Sequence, residues 1–261
     1  MKKIFSYIGL LTIITISIIM SNKTATVVKN IDSLMTEIKE KAEEYNIQPE
    51  SAIIKNNTII PGMNGKKINI EKTYKNMKKI GKFNEKYIIY EQIKPEISIE
   101  NNKNKYIIGG NKTNKKNEIG LIIEINETCD IENILKILEK NQAKITFYIQ
   151  DKIKQNKNIK QIKKAGYKIE IGTTNNCILA EKNDTKLNTC SKQNKYTIIP
   201  NIIINKSLFN KTKQQLKPGA IIKIQLNQAT EKELDMTIKY IKTKGYIIKD
   251  LDEYISEKNN N

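Results

Sequence analysis

Apolar positions in the second half of the chain change spacing in a regular cycle. Ile119 to Ile125 is an apolar run of strand length, with Glu124 as its one charge. After a polar break, Ile131, Ile134, Leu135 and Leu138 recur at helical steps, and Asp130 stands where an N-cap belongs. Ile145 to Ile149 reads as the next strand. Ile153, Ile159 and Ile162 mark a second helix, closed by Gly166 at its C′ position. Tyr167 to Ile171 is a third strand. Tyr196 to Ile204 is a β-branched run broken by Pro200, and Ala220 to Leu226 follows a Pro218-Gly219 turn. Thr230 to Glu233 has the spacing of a capping box and opens a helix carrying Leu234, Ile238 and Ile241. Gly245, the strand Tyr246 to Ile248 and a short helix Leu251 to Ile255 finish the cycle. Strands alternating with helices at about 25-residue intervals predict βα units, and hence an α/β fold with a parallel sheet or barrel.

The first half is built differently. Lys2 and Lys3 precede an apolar run, residues 4–20, long enough to cross a bilayer. No small-x-small cleavage site comes after it, so a retained signal-anchor over residues 1–22 is expected rather than a cleaved signal peptide. The lysine pair orients the N-terminus to the cytoplasm and the rest outside: a single-pass protein of the cell membrane. Val28, Ile31, Met35, Ile38, Ala42 and Tyr45 predict a juxtamembrane amphipathic helix within 23–50, serving as a stalk, a dimer seam or a helix packed on the adjoining lobe. Residues 51–116 read as that small α+β lobe, ending in a Lys/Asn-rich linker. Residues 117–256 form the βα domain, and 257–261 a tail.

Charge adds a constraint on partners. All 46 basic residues are lysine, histidine is absent, and the formal net charge is +18. This favours anionic surroundings such as lipid headgroups, peptidoglycan or other anionic wall polymers, and it equally fits a Lys-rich surface set by coding bias. Nucleic acid is not expected. There is no arginine for bidentate phosphate or base contacts, and the lysines are spread along the chain.

Three phrases resemble one family. ILKILEKNQAKITFYI is similar to a helix and second strand of the polysaccharide deacetylase (NodB homology) domain, which ends in a Lys-Ala-Thr-Phe-Phe-like word. IKKAGYKIEIG resembles that family's Ala-Gly-His-Glu-Ile-Gly word, and PGAIIKIQLN with KGYIIKDLDEYI its last strand and closing helix. The resemblance implies a distorted (β/α) barrel preceded by the anchor and the lobe. It also implies metal-assisted hydrolysis of an acetyl amide. An Asp and two His hold the ion, a second Asp is the base, and a late-strand His protonates the amine.

The chemical words are missing. The family's Asp-Asp falls on Glu124 and Ile125, its two metal histidines on Gly172 and Asn176, and its late histidine on Gln225. Ile125 and Gly172 carry no ligand atom, an amide oxygen suits zinc poorly, and glutamine does not titrate. The Arg-Pro-Pro-Tyr-Gly word has no counterpart near CILAEKND, residues 177–184. No cofactor is therefore expected. The implied function is a catalytically inactive envelope module that binds a glycan or has a structural role. The alternative is an N-deacetylase with an atypical site around Glu124, with Asp130, Asp184 or Asn176. Too few residues separate the third strand from Cys177 for a crossover helix. Either that helix is deleted, or the strand reading after Asn176 fails. Of three cysteines, Cys177 and Cys190 close a short loop and are the expected disulfide. Cys129 is left over, with a Cys129–Cys177 contact or a cysteine metal site as alternatives.

Overall fold

The computed structural model describes residues 32–111, 117–125, 129–150, 156–172 and 177–259. The expected anchor, residues 1–22, and Asn176 lie outside them. Among the described residues no helix is long and apolar enough to cross a membrane. In chain order the elements begin with α1 (Ser33–Tyr45), β1 (Ile53–Lys55), β2 (Thr58–Ile60), β3 (Gly65–Ile68), α2 (Ile70–Met77), β4 (Tyr90–Ile93) and β5 (Tyr106–Ile107). The βα region comes next: β6 (Glu118–Ile125), α3 (Ile131–Lys140), β7 (Thr146–Gln150), α4 (Asn156–Lys164), β8 (Lys168–Gly172), α5 (Asp184–Lys192), β9 (Thr197–Ile198) and β10 (Ile202–Ile204). The chain ends with α6 (Leu208–Gln215), β11 (Ile221–Gln225), α7 (Gln228–Lys232), α8 (Leu234–Thr243), β12 (Ile247–Lys249) and α9 (Leu251–Ile255).

The chain divides into two compact units, and the division differs from the one read off composition. Among the described residues, 32–48 and Gly65–Ile93 form one unit, and Pro49–Asn64 with those from Lys94 onward form the other. Helix α1 thus packs on the small α+β lobe, one of the roles expected of it. Its buried Leu34, Met35, Ile38 and Ala42 pack with Ile68, Tyr74, Met77 and Ile88. Asp32 caps it, accepting from the Leu34 and Met35 N–H groups, while its second oxygen accepts from the Tyr74 hydroxyl at 2.9 Å. That hydroxyl bond holds the Asp32 carboxyl below its usual range.

The larger unit is organised on β6. Its parallel sheet runs β10-β11-β6-β7-β8, and β12 pairs with Glu118–Gly120 at the start of β6. The alternation of β6 sends Ile119, Leu121, Ile123 and Ile125 into a core shared with Ile131, Ile134, Leu138, Ile162, Leu234, Ile238 and Ile241 of the covering helices. Ile122 faces the other way. It joins Ile59, Ile107, Ile178, Ile198, Ile221 and Tyr254 in a second core under the sheet β1-β2-β5-β9. A strand buried on both faces is why this run is apolar but for Glu124.

No closed barrel forms among the described residues: the main sheet ends at the edges of β8 and β10. The stretch from Gly172 to Cys177 is too short for a parallel crossover. Beyond it Ile178 makes a parallel bridge with Ile198 of the second sheet. The expected capping box at Thr230 is also displaced. Asn227 is the cap, its side chain accepting from Ala229 and Thr230, and the Thr230 hydroxyl accepts from the Asn227 N–H. Glu233 makes no side-chain cap bond to α8. Gly120 leaves the space that Tyr254 fills; a Cβ there would lie 2.6 Å from the ring.

Candidate functional site

One transverse row of the main sheet carries the polar residues of its inner face. In register, Gln225 stands beside Glu124, Glu124 beside Tyr148, and Tyr148 beside Glu170. The row toward the strand starts reads Lys223, Ile122, Thr146 and Lys168. Residues two apart on a strand share a face, so both rows point under the second sheet. Each polar residue lies out of phase with the isoleucines that face the helices.

Glu124 and Lys223 are joined in that interior. Lys223 Nζ lies 3.1 Å from Glu124 Oε2, with side-chain exposures of 8% and 7%. The same ammonium sits 4.3 Å from the centre of the Tyr148 ring. A buried charge is costly unless paired, so carboxylate, ammonium and ring form one unit. Glu170, two strands away at about 10 Å, keeps access to solvent. Burial still pushes its carboxyl above the usual range, and Asp252 adds to this, while Lys195 and Lys168 oppose it.

The structure brings together only part of the predicted set. Glu124 and Gln225 are neighbours, with Glu124 buried and Gln225 half-buried. Ile125 belongs to the helix-facing core, on the opposite face from Glu124. Gly172 ends β8 opposite Gln150. Asp130 caps α3 through the Asn133 N–H, and Asp184 accepts from the Tyr106 hydroxyl at 2.8 Å, so neither carboxylate stands with Glu124. Cys177 and Cys190 form a disulfide, and Cys129 is a buried thiol whose Sγ lies 3.9 Å from the Leu226 carbonyl oxygen.

The family's metal does not fit these residues. Among the described residues no three His, Cys, Asp or Glu side chains are grouped to hold an ion. The one family carboxylate already faces an ammonium, whose charge opposes a divalent cation at that place. Sequence reading missed Lys223, Tyr148 and Glu170. The signal was present: a lone lysine in IIKIQ lies in the same strand phase as Gln225.

Residues 111–209 match the family model described as polysaccharide deacetylase. The uncharacterized protein YlxY of Bacillus subtilis (strain 168) is 38% identical over 156 residues, spanning 58% of this chain and 48% of the relative. The chain thus spans about half the length of that curated relative. BA3943 of Bacillus anthracis, a carbohydrate esterase family 4 (CE4) pseudoenzyme, has the same fold, with a TM-score of 0.61 and 23% identity over 87% of this chain and 96% of its own. The Bc1960 peptidoglycan N-acetylglucosamine deacetylase matches at 0.51, with 17% identity over 59% of this chain and 95% of its own.

Proposed function

We propose that the chain carries a degenerate polysaccharide deacetylase domain, supported by the family match over residues 111–209, and that it is a non-catalytic envelope module rather than a working deacetylase. The observation that carries this is the closed pair of Glu124 and Lys223. A general base needs an open carboxylate within reach of the proton it takes, whereas this one is buried against a fixed ammonium. Gln225 cannot supply the acid, and the metal positions hold Ile125 and Gly172. In this reading residues 1–22 anchor the chain in the cell membrane with its larger unit outside, and the lysine surface holds peptidoglycan or another anionic wall polymer.

Two measurements test the two halves. Incubating purified protein with acetylated chitooligomers and peptidoglycan, with added zinc or cobalt, should release no acetate. Release that Glu124→Gln abolishes would restore the atypical N-deacetylase as the better reading. Retention on purified peptidoglycan at low salt should be clear and should weaken as salt rises; no retention would remove the binding half.

A further inference from the structure

The open seam of the larger unit contains a cleft of about 270 Å³ between the β8 edge of the main sheet and β9 of the second. Its floor is apolar, with Ile178 and Ile198 among the lining residues. Its walls carry Glu170, Lys168, Lys195 and Asp252. Lys168 is committed, with Nζ 2.6 Å from Asp252 and 3.3 Å from Asp250. Among the described residues nothing ion-pairs or hydrogen-bonds with the Glu170 carboxylate or the Lys195 ammonium. Two lysines and two carboxylates line it, so the place is close to neutral on a chain whose formal charge is +18. The cleft is smaller than the pockets of roughly 300–1,000 Å³ that take drug-sized ligands, which limits a guest to about one sugar ring.

We infer that this cleft binds one hexosamine unit with a free amine, its ammonium on Glu170 and the apolar face of its ring on Ile178 and Ile198. Each part of the lining has a counterpart in such a guest. The unpaired, partly desolvated carboxylate calls for a cation. The isoleucine floor calls for a C–H face, and Lys195 and Asp252 are hydrogen-bonding partners for ring hydroxyls. Loss of acetyl from an N-acetyl sugar leaves this amine. The inference therefore rests on the glycan-binding reading and makes its ligand the deacetylated product, held at the β8 end of the row that Glu124 shares.

Isothermal titration of the full-length protein in detergent tests it, with glucosamine, fully deacetylated chitobiose and chitotriose, and their N-acetyl counterparts. The protein's own positive charge repels these cations, so binding reports a local site. A charge-assisted hydrogen bond corresponds to about tenfold or more in affinity, so the amines should bind at least that much tighter than the acetylated sugars. Glu170→Gln should erase the preference. Tight binding of free glucosamine assigns a monomer site, and binding of oligomers alone assigns the polymer as its source. Equal binding of both forms, no binding, or an unchanged preference in Glu170→Gln overturns the inference. If peptidoglycan is still retained in that case, only this inference falls; loss of both removes the glycan reading as well.

Discussion

Lys223 Nζ stands 3.1 Å from Glu124 Oε2 on neighbouring strands, inside the larger unit and nearly out of reach of solvent. Two opposite charges at adjacent inner positions explain how this domain tolerates either of them. They also explain why substitutions there will not act independently.

Lys223→Met should take the ammonium away from a buried carboxylate and cost about 3–5 kcal/mol in denaturant unfolding. Replacing both partners, Lys223→Met with Glu124→Leu, should recover most of that loss. A neutral single variant, or a double variant as unstable as the single one, would show that the pair is not the unit described.

Glu170 sets a pH dependence whose sign can be worked out. Burial raises its folded-state pKa, with Asp252 adding to the shift. The stability linked to its protonation is therefore fully present below the unfolded value of about 4.3 and lost as pH rises through the folded value. Glu170→Gln should raise the melting temperature at about pH 7, and the gap to wild type should close on acidification below about pH 4.3. A gap that widens on acidification would contradict the assignment.

Reduction should loosen the segment after β8. The Cys177–Cys190 bridge spans a sequence separation of 13, for which chain entropy predicts a loss of about 3 kcal/mol on reduction. Peptide mapping without reductant should recover Cys177 and Cys190 as one linked pair. Cys129, which is buried, should alkylate only after unfolding.

Glu257 closes the larger unit from its far end. Its buried carboxylate accepts from the Gly62 and Ile99 N–H groups, and its carbonyl oxygen accepts from Asn64. Glu257→Ala should cost about 1.5–3 kcal/mol for bonds to a charged acceptor. Amide exchange at Gly62 and Ile99 should quicken ahead of the main sheet. Unchanged exchange there would show that the tail does not pin these loops. Glu257, the first residue of the expected tail, is thus part of the fold.

Much of the fold was legible because its signals are local. The apolar run of β6, the Asp130 cap, Gly166 and Gly245 at helix ends, and the parallel order of strands all rest on short-range periodicity and turn chemistry. The capping box at Thr230 misled because the same spacing occurs one turn earlier, from Asn227 to Thr230, where the cap forms. The unit boundary misled because β1, β2 and β5 are short strands whose partner, β9, lies far along the chain.

The candidate site divides in the same way. By itself the sequence determined what is missing: no histidine anywhere, and isoleucine, glycine and glutamine at positions where the resemblance would put ligands and acid. Such losses need no coordinates, since a side chain without a ligand atom cannot bind metal in any fold. Only the tertiary structure decided what replaces that chemistry. Lys223 and Glu124 are about a hundred residues apart in sequence and become a pair because β11 lies beside β6 in one register. The cleft beside Glu170 is lined from both sheets, by β8 of one and β9 of the other. Neither is written in any local pattern, because burial and charge pairing depend on which distant strands come to share a face.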